Sequence, residues 1–138
     1  MAATLRRVSW KILITARTLD EAGQSALKLL RESGADLIIP PKYGPLTADE
    51  LMRVLPGNDA VLASMDKFTD AVLTSSAAAN LKIISRWGVG YDAIDVPAAT
   101  RLGVVIGFTP GMLNEAVADY AFALLFAVAR RVHEGHLS

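Results

Sequence analysis

The sequence predicts an α/β fold built on a doubly wound parallel sheet, and two observations carry this prediction. Five short apolar runs alternate along the 138 residues with segments whose apolar residues recur at helical spacing. The runs lack the regular polar–apolar alternation of half-exposed strands, which is typical of parallel strands covered on both faces. We therefore expect one sheet of five strands with helices on both sides.

The strands are predicted where apolar and β-branched residues cluster between turn signals. Paired prolines at 40–41 end the second run, because proline lacks the amide that a central strand needs. The predicted strands cover 10–16, 36–39, 59–64, 81–85 and 104–106.

The helices are predicted from their start and stop signals. Thr18–Glu21 and Thr47–Glu50 are capping-box patterns, in which the first and last side chains satisfy free amides of a new helix. Gly34 is placed to end the first helix in the left-handed conformation, and Asp95 is placed to cap a later one. The predicted helices cover 22–31, 51–55, 69–75, 95–101 and 114–133.

The last predicted helix is apolar almost all round over 114–132. Tyr120, Phe122 and Leu125 cannot share one stripe of a helix surface with its other apolar residues. A long apolar C-terminal helix of this kind needs burial on several sides. We therefore expect it to drive self-association into a homodimer or a larger assembly.

Composition and charge exclude several classes of function. The 14 basic and 14 acidic residues balance, so no field of one sign favours nucleic acid or an anionic membrane. The longest apolar run, 121–129, is well short of the roughly 20 residues of a membrane span. The absence of cysteine excludes disulfides and thiolate metal sites. We expect a soluble cytoplasmic protein without a metal, in which His133 and His136 form a solvated helix end.

The loop after the fourth predicted strand, 86–95 (RWGVGYDAID), is the candidate functional segment. In doubly wound sheets, ligands bind beyond the carboxyl ends of the strands. Gly88 and Gly90 permit sharp turns and leave amides uncovered, and successive free amides bind a carboxylate or a phosphate. Taken alone, the two glycines fit an ordinary tight turn better. A dinucleotide-binding G-x-G-x-x-G loop is excluded, because Ala93 stands in place of the third glycine.

Several segments together resemble the D-isomer-specific 2-hydroxyacid dehydrogenase family, which includes phosphoglycerate, glyoxylate/hydroxypyruvate and D-lactate dehydrogenases. Upstream, 43–51 (YGPLTADEL) is similar to the loop and helix that follow the family's second strand. The other matching segments are 81–95 (LKIISRWGVGYDAID), 98–104 (AATRLGV), 109–111 (TPG) and 114–119 (NEAVAD).

The resemblance implies a division of the chain into two parts. Residues 1–108 correspond to a substrate-binding lobe with a flavodoxin-like sheet, and 109–138 to an interdomain and dimerisation helix. The NAD-binding Rossmann domain is absent from this sequence, and so are the family's catalytic histidine, its glutamate and its arginine. The resemblance therefore implies NAD or NADP in the intact protein, with no cofactor bound to this segment and no turnover by it.

The resemblance also implies roles for individual residues. The amides of Val89 and Gly90 bind the carboxylate of a small 2-keto or 2-hydroxy acid, with Gly88 and Met65 beside them. Val117 and Asn114 contact the cofactor, although family members often have threonine at the latter position.

One loop departs from the family pattern. Many members, notably the phosphoglycerate enzymes, carry an arginine near Met65 that helps to hold an anionic substrate. Here Asp66 is expected to put a negative charge in its place, with a solvated Lys67 beside it. The departure disfavours a phosphorylated or doubly anionic substrate. Arg86 is interpreted as the partner in a structural ion pair.

Three interpretations remain open from the sequence. The first is an N-terminal fragment of a dehydrogenase, and a reading frame that continues into G-x-G-x-x-G would support it. The second is a stand-alone module that recognises small carboxylates through Val89 and Gly90. The third is a structural or regulatory subunit that pairs through the 114–132 helix.

Overall fold

A computed structural model describes residues 9–17 and 23–135, apart from the side chain of His133. The strands are Lys11–Ile14 (β1), Asp36–Ile38 (β2), Ala60–Ala63 (β3), Ile83–Arg86 (β4) and Val105–Gly107 (β5). They form one sheet in the order β2-β1-β3-β4-β5, and every neighbouring pair is parallel. The predicted five-stranded parallel sheet is confirmed, and its order is that of the flavodoxin type.

The helices are Gln24–Glu32 (α1), Ala48–Val54 (α2), Asp70–Leu73 (α3), Val96–Arg101 (α4), Asn114–Ala129 (α5) and Val132–Gly135 (α6), with a 3-10 turn at Ser76–Ala78. The predicted capping box of α2 is confirmed: Thr47 Oγ1 accepts from the Glu50 amide at 3.4 Å, and Glu50 Oε2 accepts from the Thr47 amide at 2.8 Å. Asp95 caps α4 by accepting from the Ala98 amide at 2.9 Å. The capping box predicted at Thr18–Glu21 lies outside the described residues, as does the side chain of His136.

Two strands differ from their predicted ranges for reasons of hydrogen bonding. β1 ends at Ile14 because the amides of Thr15 and Ala16 both turn to one acceptor, Leu62 O, at 3.0 and 3.3 Å. β4 begins two residues late because the Leu81 amide still closes the preceding turn, donating to Ala78 O at 2.9 Å.

Helices cover both faces of the sheet, as predicted. Leu13 and Ile14 are adjacent in β1 and point to opposite faces, and each belongs to a different core cluster. The larger cluster includes residues of β3, β4, α2, α3 and α4, and the smaller one includes Leu27 of α1. Both β1 side chains are almost completely buried, and each contributes roughly 2 kcal/mol by leaving water.

The chain divides into two compact units, 1–108 and 109–138. In the second unit the prediction of one helix over 114–133 is wrong in extent. Arg131 adopts a φ of 50°, and its amide donates to Val128 O at 3.1 Å, so α5 ends and α6 begins separately. No residue of α5 is buried. Within the described residues, no helix is long and apolar enough to cross a membrane.

Candidate functional site

The loop between β4 and α4 is hydrogen-bonded at its start to the last residue of β3 and at its end to the segment that follows β3. At its start, the Trp87 amide donates to Ala63 O at 2.9 Å. At its end, Ala93 O accepts from the Phe68 amide and the Asp95 amide donates to Phe68 O, both at 2.9 Å. These bonds extend the β3–β4 pairing beyond the regular strands. The residues between them are therefore held in place at the carboxyl edge of the sheet.

Within this loop the glycines bring backbone amides to the surface. Gly88 has a φ of 140°, a conformation that side-chain-bearing residues rarely adopt. Among the described residues, the successive amides of 89–93 donate to no protein acceptor, and those of Val89 and Gly90 are the two that directly follow Gly88. The Val89 side chain is 38% exposed, so water and small solutes reach this part of the loop. Two successive free amides are the donors that an anion-binding turn requires.

Arg86 lies against this loop. No ion pair among the described residues includes it, so its interpretation as a structural ion-pair partner is wrong. Its guanidinium donates instead to the carbonyl oxygen of Trp87. A Cβ placed on Gly88 would lie 3.0 Å from Arg86 Nη1 and 3.2 Å from Cζ, so the guanidinium occupies the space beside that glycine.

The Asp66 side chain is buried and makes its hydrogen bonds to segments other than this loop. It is 1% exposed, and its carboxylate accepts from the Leu46 amide at 2.7 Å, the Ser64 amide at 3.0 Å and the hydroxyl of Thr15. The prediction that Asp66 places a negative charge in the site is therefore wrong. Burial of a carboxylate is tolerated here because three donors replace its water.

This buried carboxylate lies where the strand order reverses, between β1 and β3, which is the usual ligand position in such sheets. Gly44 approaches it closely: a Cβ there would lie 2.3 Å from Asp66 Oδ1 and 2.6 Å from Ser64 Cβ. The chain thus packs its own polar groups at the reversal, and the free donors lie one strand further along, after β4. Sequence reasoning missed this cluster, whose only local signal is an aspartate soon after an apolar strand.

The other predicted site residues are distributed over both units. Met65 follows β3 and is 58% exposed, at the same edge as the loop after β4, because the two strands are parallel neighbours. Lys67 is exposed, and its amide donates to Leu46 O at 3.1 Å. Asn114 is the first residue of α5, and Val117, one turn later, is 61% exposed.

A pocket of about 480 Å³ opens beside the loop and is lined by Thr69 and residues 91–97. It does not include Val89 or Gly90, and Asp92 contributes a carboxylate to its wall. A negative wall repels a carboxylate ligand, so the free amides define the candidate anion site better than the pocket does.

The two carboxylates whose pKa is lowered, those of Glu50 and Asp59, lie away from the loop. A hydrogen bond from Lys42 and one from the Thr47 backbone lower the pKa of Glu50, in α2, from 4.5 to about 2. A hydrogen bond from Lys82 lowers the pKa of Asp59, which precedes β3 at the opposite edge of the sheet. Both are structural ion pairs. The described residues contain no group of three or more histidine, aspartate or glutamate side chains that could hold a metal ion.

Comparison with known proteins identifies the chain's relatives. The family model for the catalytic domain of D-isomer specific 2-hydroxyacid dehydrogenases matches residues 12–135. The chain belongs to this family. It is 38% identical over 124 residues to the glyoxylate reductase of Thermofilum pendens, covering 90% of the chain and 35% of that protein. It is 47% identical over 124 residues to the glyoxylate reductase of Thermococcus litoralis, covering 90% of the chain and 36% of that protein.

A solved structure of a related enzyme is also similar to this chain. The NAD⁺-bound 3-phosphoglycerate dehydrogenase of Entamoeba histolytica superposes with a TM-score of 0.70 at 25% identity, covering 86% of the chain and 39% of that protein. The chain thus spans little more than a third of the length of these 2-hydroxyacid dehydrogenases. The match includes β1 to β5 and the loop after β4.

Proposed function

We propose that this chain is the carboxylate-binding lobe of an NAD(P)-dependent oxidoreductase that interconverts D-2-hydroxy acids and 2-keto acids. The observation that carries the proposal is the pair of successive free amides at Val89 and Gly90. Family membership supports the reaction class. The names of the glyoxylate reductases support a small 2-keto acid as the substrate.

In this proposal the two amides hold the substrate carboxylate and so fix the direction of the adjoining carbonyl. Each hydrogen bond from an amide to an ionised carboxylate contributes roughly 1.5–3 kcal/mol. The bonds at Trp87 and Ala93 keep the loop from moving when the substrate arrives. Gly88 supplies the turn, and Met65 contributes apolar surface at the same edge.

The described residues suit a contact with the nicotinamide part of a dinucleotide and not with its phosphates. Ala93 replaces the third glycine of a pyrophosphate-binding loop, so the phosphates are not assigned to this chain's glycines. Exposed Val117 suits an apolar contact with a nicotinamide ring, and Asn114, one turn earlier in α5, suits a polar contact. When bound, the dinucleotide supplies or accepts the hydride. No acid–base role is assigned to a described residue.

The structure alters the argument about substrate charge. Asp66 is buried, and its carboxylate accepts three hydrogen bonds from the protein. It is therefore not an exposed charge that disfavours a doubly anionic substrate by repulsion. The preference for a small singly charged acid therefore rests on the names of the glyoxylate reductases, whereas the phosphoglycerate dehydrogenase is named for a phosphorylated acid.

We further propose that the second unit, 109–138, pairs with a second copy of the chain or with the rest of the enzyme. The side chains of Tyr120, Phe122 and Phe126 are each at least 60% exposed. The two phenylalanine rings stack with centroids 6.4 Å apart, which presents a preformed apolar surface.

The carboxylate site is tested by titrating the protein with pyruvate and with glyoxylate. Binding is measured from the NMR shifts of the Val89 and Gly90 amides and by calorimetry. Val89→Pro removes one donor and is expected to weaken binding roughly 10-fold or more. Val89→Ala keeps the amide and serves as the matched control, with affinity within about 3-fold of wild type. Equal loss in both variants, or no binding to the wild type, contradicts the proposal. Thermal unfolding of each variant separates lost binding from lost folding.

A further inference from the structure

Arg86 is a cation placed against the anion-binding loop, with no carboxylate as its partner among the described residues. We propose that Arg86 is a specificity residue whose charge makes this loop select a carboxylate over a neutral group. The proposal rests on the carboxylate-binding function described above. It deepens that function by assigning charge selectivity to a side chain within this lobe.

The position of Arg86 is fixed from both sides. As the last residue of β4 it pairs with Ala63 of β3, and its side chain is half-buried. Its guanidinium donates to Trp87 O and lies beside Gly88, with Nη1, Nη2 and Cζ 3.0, 3.1 and 3.2 Å from the place of a Cβ. The guanidinium therefore lies against the peptide between Trp87 and Gly88, which directly precedes the Val89 amide.

The charge of Arg86 is available to a ligand. Three lysines and arginines at the surface are neutralised by a close carboxylate: Lys42 pairs with Glu50, Lys82 with Asp59 and Arg101 with Asp70, each at 2.6 Å. Arg86 instead donates to a neutral carbonyl, which leaves its full positive charge beside the loop.

One negative group opposes this effect. Asp92 Oδ2 lies 3.5 Å from the place that a Cβ on Gly90 would take, and Asp92 is exposed. The loop is thus flanked by Arg86 at Gly88 and by Asp92 at Gly90. Removal of the Arg86 charge is expected to lower the affinity for an anion, and removal of the Asp92 charge is expected to raise it. A purely structural role of Arg86 does not predict these opposite changes.

The test compares pyruvate with pyruvamide, its neutral analogue, on the full-length protein with its cofactor present. Arg86→Met keeps the aliphatic stem and removes the charge, and Arg86→Lys restores the charge without the planar fork. Asp92→Asn removes the opposing charge. Dissociation constants are measured at low and high ionic strength, because a charge effect is screened by salt.

Arg86→Met is expected to lower the affinity for pyruvate roughly 10-fold while changing that for pyruvamide less than about 2-fold. The salt dependence of pyruvate binding is expected to flatten in the same variant. Arg86→Lys is expected to recover part of the preference for the acid, and Asp92→Asn to increase it by a few-fold.

Equal losses for pyruvate and pyruvamide in Arg86→Met, with an unchanged salt dependence, would make Arg86 a structural residue only and overturn the inference while leaving the carboxylate site in place. Absence of pyruvate binding to the wild type would refute the carboxylate site itself, and the inference with it.

Discussion

At the scale of single residues, the carboxylate of Asp66 joins three segments that are far apart in the sequence. It accepts from Thr15 after β1, from Leu46 before α2 and from Ser64 after β3. The Thr15 hydroxyl also accepts from the Ser64 amide at 3.0 Å. This network holds the backbone on either side of exposed Met65, and so it sets the shape of the carboxyl edge.

Asp66→Asn is expected to lower the free energy of unfolding by about 1–3 kcal/mol, because the amide nitrogen cannot accept from any of these donors. Chemical denaturation followed by circular dichroism measures the change. Asp36→Asn, at an exposed position of β2, is the matched control and is expected to stay within about 0.5 kcal/mol of wild type. Equal stability of Asp66→Asn and wild type would contradict a compensating role for the carboxylate.

At the scale of elements, the start of α2 combines a capping box with an ion pair. Glu50 accepts from the Thr47 amide and, at 2.6 Å, from Lys42 Nζ. The loop after β2 is thereby tied to the first turn of the helix. Hydrogen bonding to these donors stabilises the ionised form and holds the pKa of Glu50 at about 2.

This element predicts a dependence of stability on pH. Because the folded pKa of Glu50 lies below its usual 4.5, its contribution is fully present above pH 4.5 and is lost as the pH falls towards about 2. Glu50→Gln is expected to remove this part of the pH dependence of unfolding over that interval. Glu32→Gln, in the exposed pair with Lys28, is the control. A pH profile of Glu50→Gln that parallels the wild type would refute the assignment.

At the scale of the whole molecule, the second unit carries more exposed apolar surface than a solitary monomer usually shows. Besides the aromatic residues named above, this surface includes exposed Leu124, Leu125 and Val128 of α5. Apolar surface of this extent commonly marks a contact with another chain or domain.

We therefore predict that residues 1–138 form dimers or larger assemblies at micromolar concentration in a sedimentation experiment. The double variant Phe122→Asp with Phe126→Asp is expected to shift the distribution to monomer, because it places charges in the stacked ring pair. Asp119→Asn, on the same helix, is the control and is expected to leave the assembly intact. A monomeric wild type would contradict pairing between two copies of this chain and leave the rest of the enzyme as the partner of the second unit.

Local patterns in the sequence were sufficient for much of the fold. Apolar runs identified all five strands, because the residues of a parallel strand that face the helices on either side are mostly apolar. The capping hydrogen bonds at Thr47 and Asp95 join residues three apart, so they do not depend on long-range packing. The end of α5 was missed, because nothing local marks Arg131 as the residue that adopts the left-handed conformation.

The sequence by itself determined the parallel sheet, the family and the two glycines that open the loop after β4. Only the tertiary structure decided that Asp66 is buried and that Arg86 lies beside Gly88 with no acidic partner in the described part of the chain. Thr15 and Asp66 are 51 residues apart in the chain, and they meet only when β1 and β3 pair. A sequence shows which side chains carry a charge. The hydrogen-bond partners of those side chains and their exposure to water depend on long-range packing.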